Sequence, residues 1–175
     1  VIPGYSKEEI QTSIDFALGK NPNAVLTRAT AMERLQQFRI SVTGEIDGIR
    51  KAALDEIIQI GTDGNAAPRG VIITSVTGGN HASGIETGNC GHYQGCKFDM
   101  VAPEAVKKDI EAFDASGFRN DIVDVNGQGR RLPIYRVDRG SYVAEYVFEP
   151  AISYKDANGT IKQRGAHWDV QVKPK

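Results

Sequence analysis

Apolar residues recur at helical spacing through the first third of the chain and in β-branched runs through the last. Ile10, Ile14, Phe16 and Leu18 follow a Ser6-x-x-Glu9 capping box and stop before Gly19 and Pro22, which predicts a helix over 6–19. Ala31, Leu35 and Phe38 predict a second helix over 29–38, and Ile46, Ile49, Ala53, Ile57 and Ile60 repeat by three and four over 44–61. The apolar face of this third helix is expected to lie on a sheet. Val71 to Val76 reads as a buried strand from its β-branched density, and Lys97 to Val101 as a short one. A helix is predicted over 104–116, opened by Pro103, with Val106, Ile110 and Phe113 inward and Gly117 as its stop. Strands follow at 121–125, 132–137, 142–148, 152–154 and 160–172, the last two joined by a tight turn at Asp156–Gly159, where Asn158-Gly159 supplies the positive φ angles. Helices before antiparallel strands predict an α+β fold, a single domain over 1–175 with N-terminal helices in 1–62 packed on a core in 69–175.

Composition narrows the partners. A chain of 175 residues with 40% hydrophobic content can bury a core without disulfides as its main support. Its 21 basic and 22 acidic residues leave a formal charge of −1, so no nucleic-acid partner is expected, and Lys107-Lys108 and Arg130-Arg131 read as solvated surface pairs. No apolar run approaches the roughly 18 residues of a spanning helix, so no membrane insertion is expected, and a monomer is. The first residues lack the basic and apolar regions of a signal peptide, but a removed one would leave no trace and secretion stays open. Cys90 and Cys96 flank His92 closely enough for a disulfide-closed loop, for two free thiols or for thiolate ligation of a metal.

Candidate chemistry gathers around the three histidines. Thr77 to Gly95 is a long stretch rich in Gly, Asn, Ser and Thr that holds His81 and His92, and such loops are uncommon in compact domains unless functional. His81 has no partner at ligand spacing and reads as a surface residue. His92 and Asp99 bracket a turn that leads into a strand, and imidazole with carboxylate suits zinc. Near the C-terminus, strand alternation puts His167 and Asp169 on one face and Trp168 and Val170 on the other, where they serve the core. Either element alone is equally compatible with a surface or sheet histidine.

Together they resemble the LAS-type zinc peptidases of the D-Ala-D-Ala carboxypeptidase and hedgehog-like group. The shared layout is a strand ending Ile73-Thr74-Ser75, the glycines of Thr77-Gly78-Gly79, His92-x-x-Gly95-x-x-x-Asp99, and a distant strand with His167-Trp168-Asp169-Val170. The resemblance implies that His92, Asp99 and His167 hold one Zn2+ with water in the fourth position, as a catalytic rather than a structural zinc site requires. It further implies hydrolysis of amide bonds in a peptidoglycan stem or cross-bridge peptide, most like the phage-borne endopeptidases, in a secreted, periplasmic or virion-associated setting.

The likeness departs from the family at the general base. Relatives carry Glu or Asp three residues before the last His, or His two before it; here Arg164 and Gly165 stand there and neither accepts a proton at neutral pH. Asp169 and Glu149 are the candidate substitutes, with another group or no base at all left open. Arg164 could meet a substrate carboxylate, and Tyr93 could donate to a tetrahedral intermediate. The Arg that holds a terminal carboxylate in some relatives is replaced by Val76-Thr77, which favours an endopeptidase over a carboxypeptidase. Rival readings are a zinc-stabilised binding module without turnover, a metal-free structural protein, and a closed structural site of Cys90, His92, Cys96 and His167.

Overall fold

In chain order the elements are α1 (Lys7–Leu18), α2 (Arg28–Gln37), β1 (Ser41–Val42), α3 (Lys51–Gly61), β2 (Ile72–Ser75), β3 (Lys97–Val101), α4 (Glu104–Glu111), β4 (Asp114–Asn120), β5 (Arg131–Asp138), β6 (Tyr142–Glu149), β7 (Ile152–Lys155), β8 (Ile161–Arg164) and β9 (His167–Pro174). The structure, a computed structural model, describes residues 6–77, 91–92 and 94–175. Seven strands form one sheet in the order β1-β2-β3-β9-β6-β5-β4, parallel only between β1 and β2, and β7-β8 form a separate hairpin. The α+β expectation holds at this level, with three of the four helices in the first 61 residues.

The two faces of the sheet have different partners. On β9, Trp168, Val170 and Val172 turn to the helices and join Phe98, Met100, Tyr142, Ala144 and Tyr146 in a cluster with Ile57, Ile58, Ile10 and Ile14. His167, Asp169 and Gln171 alternate with them and face the other way.

Four expected boundaries move. The third helix starts at Lys51 rather than 44, because Gly48 adopts φ +84 and Gly44 lies so close to Thr74 O that a Cβ there would stand 2.3 Å from it. Ile46 and Ile49 are fully buried all the same, held by a turn instead of a helix. Helix α4 stops at Glu111, and the next strand is 114–120 rather than 121–125. The β-branched Ile122, Val123 and Val125 are exposed at the base of a hairpin whose tip is closed by Asp124, which accepts from the backbone N–H of Asn126 and Gln128. The last predicted strand is two, broken at Gly165-Ala166, so that only β9 enters the main sheet. A turn forms at Asp156–Gly159 as expected, but only Gly159, at φ +77, takes a positive φ; Asn158 does not.

Glu56 on α3 is completely buried and ties the helix layer to the sheet. Its carboxylate accepts from Arg139 Nε and Nη2, both at 2.9 Å, and from the hydroxyls of Tyr146 at 2.6 Å and Tyr142 at 3.2 Å. Four donors compensate an ion that burial would otherwise make very costly. Arg139→Ala, which strips the counter-charge from a buried carboxylate, is expected to lower unfolding free energy by about 3–5 kcal/mol. The double variant Glu56→Gln/Arg139→Met should lose less, and urea denaturation of both compares them directly.

Candidate metal centre

A tight turn places His92. Gly95 N donates to His92 O and Cys96 N to Gly91 O. Gly95 has φ +83 and packs so closely on Gly48 O that a Cβ would come within 2.2 Å. The turn is pinned from outside by Arg50, whose N–H donates to Gly95 O and whose Nε donates to Gln94 O. The glycine of the His-x-x-Gly spacing is therefore required for contact as well as for conformation. Cys96 is buried and disulfide-bonded, which removes thiolate ligation by it and the closed Cys-containing site; Cys90, His81 and Tyr93 lie outside the described residues.

The remaining side chains arrive from the sheet. Asp99 on β3 stands opposite Asp169 on β9, and Glu149 at the end of β6 stands opposite His167. His92, Lys97, Asp99, Arg119, Glu149, Arg164, His167 and Asp169 line one cavity of about 520 Å³. The structure thus brings together every sequence-derived candidate among the described residues and adds two cations, Lys97 and Arg119. Lys97 could have been read from its position two residues before Asp99 on the same strand face; Arg119 carried no signal.

Both imidazoles are oriented by main chain. His92 Nδ1 lies 2.8 Å from Val76 O and His167 Nδ1 2.9 Å from Gly165 O. A carbonyl only accepts, so each Nδ1 carries the proton and donates it, and each Nε2 is turned to the cavity. His92 Nε2 is 3.5 Å and His167 Nε2 3.8 Å from Asp99 Oδ1. Two sets bring their donor atoms within 4.8 Å of one another: His92, Asp99 and Asp169, and Asp99, Glu149 and His167. The trio expected from sequence is divided between these sets, which share Asp99.

The carboxylates differ in what they can do. Asp169 is buried, with Oδ2 receiving Arg119 Nη1 and Lys97 Nζ, the latter at 3.1 Å. Its Oδ1 makes no hydrogen bond and stands 3.7 Å from His92 Nε2. Burial alone would raise this carboxyl, but His92, Lys97 and Arg119 outweigh it and hold it well below the usual carboxylate range, which makes Asp169 a poor proton acceptor. Asp99 goes the other way: burial, opposed by His92 and His167 and reinforced by Asp169 and Glu149, pushes it up to about 6. Glu149 Oε2 is 2.7 Å from His167 Nε2, while Oε1 meets Arg119 Nη2 at 2.9 Å and Arg164 Nη1 at 3.4 Å. Arg164 itself is engaged by Asp121 through two 2.9 Å bonds and by Pro150 O, so protein groups take the fork that was expected to meet a substrate carboxylate.

Three carboxylates and two imidazoles with their outer nitrogens fixed, together with a buried oxygen lacking a partner, form a donor set that suits a divalent ion. No family model matches this chain, and neither does any curated protein or solved structure.

The metal-free site has a definite pH signature. Burial would lower His167, but Glu149, Gly165 O and Asp99 raise it to about 9, above the unfolded value of 6.5. The charged imidazolium is therefore favoured by folding; its contribution is complete below pH 6.5 and is lost as pH rises through about 9. Melting of chelator-treated protein should show the stability difference between wild type and His167→Gln shrinking from pH 6.5 to 9. A difference that stays constant or grows would contradict this pairing.

Proposed function

We propose that this chain is a zinc-dependent peptidase acting on amide bonds within bacterial peptidoglycan peptides, with His92, Asp99 and His167 as the protein ligands. The observation that carries the reading is the pair of Nδ1-anchored imidazoles facing Asp99 Oδ1 at 3.5 and 3.8 Å. Tetrahedral ligands about 2.1 Å from a zinc ion are roughly 3.4 Å apart, so each imidazole stands near ligand spacing from Asp99, while His92 and His167, which fall in different sets, must draw closer together to share one ion. Zinc, when bound, supplies Lewis acidity toward a scissile carbonyl and lowers the pKa of water to about 7.

Glu149 is the better base of the two candidates. It borders the cavity, keeps Oε2 beside His167, and is half-buried where Asp169 is buried. It would take a proton from the attacking water and return it to the leaving amine. Asp169, held in its ionised form by Lys97 and Arg119, would lend negative charge to the metal site. The substrate class comes from the sequence resemblance, as does the hedgehog- and DD-peptidase-like fold, and a cell-wall substrate places the protein in a secreted, periplasmic or virion-associated setting, working as a monomer. No helix among the described residues is long and apolar enough to cross a membrane.

A zinc-stabilised binding module without turnover is the second reading. It is favoured by one observation, that Arg119 and Arg164 both contact Glu149 Oε1 and draw charge from the proposed base.

Elemental analysis should find about one zinc per chain, lost in His92→Ala/His167→Ala. Release of peptide ends from purified peptidoglycan should fall by more than about 100-fold in Glu149→Gln while zinc is retained. Zinc without turnover in the wild type would select the binding module; no zinc uptake at all would end both readings. Zinc must displace the His167 proton, so its affinity should climb about tenfold per pH unit between pH 7 and 9, as measured by chelator competition.

A further inference from the structure

Arg119 does not belong to any motif, and it comes from β4, the outermost strand of the sheet. Its side chain nevertheless reaches Asp169 on β9, two strands beyond its neighbour β5. Nη1 meets Asp169 Oδ2 and Nη2 meets Glu149 Oε1 at 2.9 Å. Lys97 contacts Asp169, and Arg164 contacts Glu149; among the described residues, Arg119 alone is recorded in ion pairs with both.

An irregularity in β4 makes this reach possible. Ala115 stands opposite Tyr135 and Phe118 opposite Pro133, so three steps along β4 match two along β5. One residue is extra, a β-bulge, and Gly117 within it has φ +126. Because successive strand residues face opposite sides, the extra residue inverts the alternation from Phe118 onward. Arg119 consequently opposes Leu132. Leu132 shares a face with Ile134, Ile134 opposes Val147, and Val147 shares a face with Glu149. Continuing the register of Ala115 with Tyr135 would have set Arg119 opposite Arg131, on the far side of the sheet from the cavity.

We propose that Arg119, turned inward by the β4 bulge, is a positioning residue that occupies the outward oxygens of Asp169 and Glu149 so that Oδ1 and Oε2 face His92 and His167. The proposal rests on the metal-centre reading above. One planar guanidinium bridging two carboxylates fixes both rotations at once, which two separate ammonium contacts would not do. Arg119 acts on the metal site through the oxygens these carboxylates present to it and is not itself a ligand.

The test compares the wild-type chain with Arg119→Gln and Arg119→Lys. Zinc affinity is measured by chelator competition, and the visible absorption of the cobalt-substituted protein reports coordination. Arg119→Gln is expected to weaken zinc about 10–100-fold and to alter the cobalt spectrum. Arg119→Lys should fall between the two, since it keeps charge but loses the fork. Metal-free melting identifies any variant that is not folded, and Arg119→Lys then decides. Wild-type zinc affinity together with a wild-type cobalt spectrum in Arg119→Gln, or in Arg119→Lys if the former is unfolded, overturns the proposal. A wild type that binds neither metal overturns the metal-centre reading as well.

Discussion

The alternation of side chains along β9 is the constraint on which the rest of the molecule depends. This strand lies between β3 and β6 in the middle of the sheet, with neighbours hydrogen-bonded on both edges. Its even-numbered residues Trp168, Val170 and Val172 are core, and its odd-numbered His167 and Asp169 belong to the cavity. A shift of one residue would send the indole into the polar cavity and the carboxylate into the core. Packing of Trp168 against Tyr135, Tyr146 and Phe148 therefore sets the register of the site as well as that of the sheet.

Charge in the cavity is organised by depth. Asp169 and Glu149 each turn one oxygen to surrounding cations and the other to an imidazole. Arg164 extends the pattern outward to Asp121. Such layering lets several like charges share a confined space, since each is compensated from behind while its inner atom stays available.

Much of this was legible from residues alone. Period-two alternation identified the faces of β9, and the spacing His92-x-x-Gly95-x-x-x-Asp99 located a turn feeding a strand. These are local patterns, and local sterics determine them. What stayed hidden depends on distant contacts. Ile46 and Ile49 have helical spacing, yet they are buried in a turn because Gly44 abuts Thr74 and Gly95 abuts Gly48, 30 and 47 positions away. Ile122, Val123 and Val125 have strand propensity but no strand to pair with, because Asp114–Asn120 takes the edge of β5 instead. Arg119 was invisible for the same reason: its direction is set by a register shift between two strands, and a register shift leaves no signature within either strand.

The place of β9 in the sheet also bears on how the chain folds. Among the described residues it is the last of nine strands in sequence and among the most central in space. Until it inserts, β2-β3 and β4-β5-β6 are separate ribbons, each with an open edge, and His92 and Asp99 are apart from Glu149 and Arg119. Closure of the sheet and assembly of the cavity are consequently one long-range event that carries a loop-closure cost, since Lys97 on β3 pairs with Gln171 on β9 across 74 positions.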